Sequence, residues 1–162
     1  MVGVAQSARA RACDARGCEF EARRPPQTIL ADPWAEVFYA FERAARARYE
    51  PAAPVDLTLR ECVGVIDAAF AQAARGRPRY ILSNGVGRVT GACTAYGTYF
   101  EIALPPARRR PWCALHEAAH VLTWGAGHGP LFARQVMALW DAIGGWPAPE
   151  LVVLAEQHGV RT

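Results

Sequence analysis

Residues 97–124 read GTYFEIALPPARRRPWCALHEAAHVLTW, and the period of their apolar positions changes halfway along. In the first part Phe100, Ile102 and Leu104 alternate with Tyr99, Glu101 and Ala103, the two-residue repeat of a strand with one strongly apolar face and one mixed face. Pro105-Pro106 ends that strand. Pro111 then suits the first turn of a helix, and Trp112, Ala114, Leu115, Val121 and Leu122 surround two histidines and a glutamate. The spacing predicts a strand over 97–104 and a buried helix over 111–124, which Gly125-Ala126-Gly127 breaks. Helices are expected to cover one side of the sheet.

Working upstream, Asp32-Pro33 reads as an N-cap followed by a first helical residue, with Trp34, Val37, Phe38, Phe41 and Ala45 recurring at helical spacing towards Tyr49. Thr58 and Glu61 have the spacing of a capping box for a second helix, with Cys62, Val65, Ile66, Ala69 and Phe70 on one face and Gly76 and Pro78 as its stop. Tyr80-Ile81-Leu82 is a strand pattern, Asn84-Gly85 a hairpin turn signal, and Val86 to Thr90 the expected returning strand. Downstream, Pro130 opens a helix that should run to Ile143, and a short last helix is expected over 149–158. The sum is an α+β domain over residues 31–162, with a small antiparallel or mixed sheet of about three strands packed against helices. Residues 1–30 lack a sustained period and reach Pro25-Pro26, the texture of a flexible arm. Cys13 and Cys18 within it are half of a zinc site at most, and no second cysteine pair follows at ribbon spacing, so two free thiols are expected.

Composition narrows the function. All 18 basic residues are Arg, beside abundant Ala, Gly and Pro, a pattern of codon usage more than of selection for Arg, and the net charge is only +3. Nucleic acid is therefore a weakly supported partner, and Arg108-Arg109-Arg110 is expected to be a solvated face or helix flank. Five scattered cysteines and the lack of an apolar leader fit a reducing cytoplasm. No stretch approaches the roughly 20 apolar residues that span a bilayer.

His116-Glu117-Ala118-Ala119-His120 is the motif that carries chemistry. Residues four apart share a helix face, so His116 and His120 can bind one zinc ion. Glu117 projects about 100° round the helix from His116, beside the metal and not on it, where a base for an attacking water belongs. Alanines leave room around the ion, and two histidines and a glutamate on a buried helix are expensive to bury without such a partner. A catalytic zinc needs a third ligand, and His128, returned by the glycine turn, is the expected one; Asp141, Glu150 and Glu156 are the alternatives. Thr123 stands where the metzincin pattern requires glycine, so that arrangement is disfavoured. Phe132 and Trp124 should pack the ligand loop, Trp140 the core, and Cys113 is expected to be a core thiol.

With its H-E-x-x-H followed by Gly127-His128-Gly129-Pro130-Leu131-Phe132, the run from His116 resembles the SprT-like metallopeptidases, whose signature is H-E-x-x-H, a spacer and H-G-x-x-F. The order of elements is also similar to a metallohydrolase family of actinobacteria and their phages. The resemblance implies a zincin fold with one zinc per chain on His116, His120 and His128, and Glu117 as general base in peptide-bond hydrolysis. It also implies a peptide or protein substrate lying along Thr98 to Glu101. Tyr96 or Tyr99 is the candidate donor to the oxyanion, each with packing as the competing role. Two other expectations stand beside this one: a SprT-like protease directed by DNA, which salt-sensitive DNA binding would reveal, and a non-catalytic zinc module, which would have no use for Glu117.

Overall fold

The computed structural model describes residues 32–53, 55–73 and 77–162. The expected arm over 1–30, with Cys13 and Cys18, lies outside the described residues, as does Gly76. The described part forms one compact unit with the order α1 (Ala35–Tyr49), α2 (Leu59–Gln72), β1 (Tyr80–Ser83), β2 (Ala92–Tyr96), β3 (Tyr99–Ala103), α3 (Pro111–Leu122), α4 (Pro130–Ala142) and α5 (Ala148–Gln157). It is an α+β fold with a three-stranded mixed sheet, as the alternating and helical periods implied.

Helix α3 is the centre of the unit. Every residue from Trp112 to Leu122 except His120 is buried, so this helix has no solvent face and must be packed all round. Helices α2 and α4 flank it, and β2 and β3 cover a third side. Phe38 and Phe41 from α1, Phe70 from α2, and Phe132 and Trp140 from α4 fill the space between the helices and are fully buried. The Trp140 indole donates to the Trp112 carbonyl at 3.3 Å, so even this core ring has its polar atom satisfied. None of the described helices is long and apolar enough to cross a membrane.

The start of α2 follows the expected chemistry. Thr58 Oγ1 accepts from the Glu61 backbone N–H, and the Glu61 carboxylate accepts from the Thr58 N–H at 2.7 Å. The start of α1 does not. The helix begins at Ala35 with Trp34 as N-cap, and Asp32 forms a two-residue turn in which Oδ1 accepts from the Trp34 N–H at 3.0 Å. A tertiary contact to His128 occupies the other carboxylate oxygen and draws Asp32 away from the helix axis.

The sheet departs from expectation in its topology. Asn84-Gly85 does not turn a hairpin, and Val86 to Thr90 is not a strand. Instead β1 pairs in parallel with β3, Tyr80 opposite Phe100, and the hairpin lies between β2 and β3, with Tyr96 opposite Tyr99 and Gly97 at φ 54° in its turn. Val86 and Val89 stand 94% and 84% exposed, so their branched side chains have no sheet face to pack on. What holds this loop is arginine: Arg109 donates to Asn84 Oδ1 at 2.8 Å and Arg108 to the Val89 carbonyl at 3.1 Å. Arg110 pairs with Asp56 at 3.0 Å. The arginine run is therefore a clamp on neighbouring loops.

Because the α2 cap satisfies two backbone or side-chain donors at once, Thr58→Ala should lower unfolding free energy by about 1 kcal/mol. Urea denaturation checks this: the midpoint falls while the slope stays unchanged.

Candidate metal centre

The rigid part of the site is one turn of α3. His116 and His120 project from the same face, and their Nε2 atoms stand 3.1 Å apart. His128 arrives from the turn between α3 and α4, where Ala126 N–H bonds to the Thr123 carbonyl and Gly129 N–H to the Ala126 carbonyl. Gly127 is required there for two reasons. Its φ is 54°, and a Cβ would stand 2.8 Å from Asp32 Oδ2. The ligand atoms of the three histidines all lie within 4.8 Å of one another. Two nitrogens at tetrahedral positions about 2.0–2.1 Å from zinc are roughly 3.3 Å apart, close to the spacing of the His116 and His120 atoms.

Two carboxylates from the α1 region orient these rings. Glu42 Oε1 accepts from His116 Nδ1 at 2.8 Å. Asp32 Oδ2 accepts from His128 Nδ1 at 2.7 Å and also from the His128 backbone N–H at 2.8 Å. With Nδ1 donating outwards, each ring presents the lone pair of Nε2 inwards, the tautomer a metal needs. His128 Nε2 is buried and has no hydrogen-bond partner among the described residues. Such an atom costs free energy unless something accepts its lone pair, and a cation between the three rings would do so. The residues present thus fit zinc.

The charge states follow from burial and these partners. Burial carries His120 down to about 2, with the neighbouring His116 and His128 acting in the same direction. Burial likewise lowers His128, against the bond from Asp32. At His116 burial acts downwards too, but the Glu42 bond and charge prevail and raise it. Burial favours the neutral acid of Asp32, yet its bonds from His128 outweigh this and lower it. His120 and His128 therefore stand neutral near pH 7, ready to ligate, while a proton competes most effectively at His116.

Glu117 stands outside the ligand cluster, buried against the start of β2. A Cβ at Gly91 would collide with Glu117 Oε1 and lie 3.2 Å from Cys113 Sγ, so only glycine leaves room for the carboxylate. Burial raises the Glu117 carboxyl to about 7; His116 and Arg88 pull it down and Glu42 pushes it further up. An acid poised near neutrality can both take and return a proton.

The other expected residues are placed elsewhere. Asp141 accepts from the Ala148 N–H, Glu150 accepts from Arg48 and Tyr49, and Glu156 is exposed on α5, while His128 joins the cluster. Tyr96 and Tyr99 stack on each other at the hairpin, with centroids 5.3 Å apart. Strand β3 is the middle strand, bonded on both sides, so Tyr99 to Glu101 offers no free edge and Thr98 lies in the turn before it; among the described residues β2 has a free edge. Phe132 packs on the site as expected, its ring 4.2 Å from that of His120, whereas Trp124 is 54% exposed and meets Phe100. Cys113 is a buried thiol.

Sequence reasoning missed Glu42, Tyr39 and Gly91, and gave Asp32 a capping role. For Glu42 a signal existed: it falls on the same helix face as Phe38, Phe41 and Ala45, where a lone carboxylate is out of place. Tyr39 had no such mark, yet its ring lies 4.7 Å from that of His128 and nearly parallel to that of His116 at 6.2 Å.

Removing either brace should loosen the metal without unfolding the chain. Glu42→Gln and Asp32→Asn are each expected to weaken zinc binding about 10- to 100-fold in chelator competition, with unchanged far-UV circular dichroism. Compared with sequence-family models, curated proteins and solved structures, the chain matches none of them, so the chemistry of the site itself carries the functional argument.

Proposed function

We propose that the chain is a zinc-dependent hydrolase that cleaves peptide bonds. The observation that carries this is the pairing of three converging histidines, two braced by carboxylates and one with an orphaned buried Nε2, with a separate buried glutamate titrating near neutrality. Three protein donors, among the described residues, suit a catalytic ion that keeps one position open; a structural ion is ordinarily closed by four.

Zinc, when bound, supplies a Lewis acid that activates water and polarises a carbonyl. His116, His120 and His128 hold it, and Glu42 and Asp32 keep the rings aimed. Glu117 takes a proton from the attacking water and returns it to the departing amine, and the wall at Gly91 keeps its carboxylate in place. The free edge of β2 begins beside Glu117, and an extended peptide pairing with Ala92 to Tyr96 would pass the base. The resemblance of the His116 to Phe132 run to SprT-like metallopeptidases supports a peptide as substrate, and a cytoplasmic setting fits the free thiols of Cys62, Cys93 and Cys113.

Elemental analysis of protein purified without chelator should find about one zinc per chain, lost in His116→Ala and His128→Ala. Glu117→Gln should keep the zinc and lose about 100-fold or more of casein hydrolysis. A parent that takes up no added zinc, or a Glu117→Gln variant as active as the parent, overturns the proposal.

A further inference from the structure

Besides the zinc that would polarise the carbonyl, the site as described has a base and a set of ligands but no hydrogen-bond donor for the negative charge that forms on a carbonyl oxygen under attack. Such a donor adds to what the metal supplies, because the oxygen gains charge in the transition state that a preorganised hydrogen bond stabilises. Among the described residues the hairpin tyrosines stack on each other and make no ring contact with the histidines, which points to another wall for the donor.

Tyr39 is placed for it. The ring sits against two of the three candidate ligands, His116 and His128, on the α1 side. Glu117 lies against Gly91, at the start of β2. The rings that fill the inner side of the cluster, Phe38 and Phe132, are apolar and fully buried. Tyr39 is different: it is 39% exposed, the one hydroxyl-bearing ring in contact with the cluster among the described residues. Among the described residues its hydroxyl also has no prior engagement. Tyr49 donates to Glu150 and Tyr80 to Asp67, but the Tyr39 hydroxyl donates to none of the described residues.

Resting on the hydrolase reading above, we propose that Tyr39 is a catalytic residue that donates a hydrogen bond to the substrate carbonyl oxygen as it becomes an anion. The water oxygen bonds to the carbonyl carbon and loses one proton to Glu117, and the C=O π pair moves onto the oxygen. Tyr39 shares its proton with that oxygen without giving it up. When the pair returns, the C–N bond breaks and the amine leaves with the proton from Glu117.

Tyr39→Phe keeps the ring and removes only the hydroxyl, so it separates this role from packing. In the zinc-loaded protein it should lower kcat on casein about 100-fold while KM stays near that of the parent. It should weaken acetohydroxamate binding, measured by calorimetry, and leave zinc affinity in chelator competition unchanged. Tyr39→Ala, which also removes the ring, should in addition lower zinc affinity. An unchanged kcat in Tyr39→Phe, or a loss of zinc affinity that accounts for its loss of activity, overturns the assignment while leaving the hydrolase reading intact. A zinc-loaded parent that neither cleaves casein nor binds acetohydroxamate overturns both.

Discussion

Helix α3 has polar groups on a surface that has no solvent side. A helix enclosed all round is normally apolar throughout, and burying His116 and Glu117 in it without partners would cost several kcal/mol. The rest of the unit is arranged to meet that cost. Helix α1 delivers Glu42 to His116, the turn before it delivers Asp32 to His128, and Gly91, just before β2, leaves space for Glu117. Without His116 and Glu117 on α3, neither Glu42 on a core-facing surface nor Gly91 against that helix has a physical reason to be there.

The electrostatics of the cluster divide its groups by task. The histidine with no carboxylate partner, His120, is held neutral most strongly by burial, and the one paired with buried Glu42 is held most nearly charged. Glu117, close to the same charges, is kept neither a free carboxylate nor a fixed acid. Environments that push like groups apart in this way are what assign acid, base and ligand roles to side chains whose ordinary affinities for protons are similar.

Much of the fold could be read from residues that solve a local problem. The capping box at Thr58, the prolines that open α3 and α4, and the H-E-x-x-H spacing each satisfy a need that arises within one turn of chain, and each appears where expected. His128 was legible for a similar reason, since a glycine turn after α3 can only bring its neighbours back past the helix. What could not be read was long-range. Ala92 to Tyr96 contains small residues with weak strand preference, and it is a strand because β3 lies beside it. Val86 to Thr90 has the branched residues of a strand and is none: Arg108 bonds to the Val89 carbonyl, and Arg109 to the side chain of Asn84 just before the segment. Asp32 carried a correct local signal, the ability to cap, which a contact 96 residues away overrode.

The sequence separations within the site carry a kinetic meaning. The three histidines lie within a short stretch that α3, the glycine turn and α4 can bring together early, but their braces are 74 and 96 residues distant. Contacts of that span close late, after the entropy of a long loop has been overcome. A partly folded chain therefore presents the motif without the carboxylates that orient it, and the rings of His116 and His128 are braced only once Glu42 and Asp32 dock. On the proposed metal-binding reading, a cation that binds the finished arrangement best would pull that last docking step forward, so that metal uptake and complete folding would be coupled.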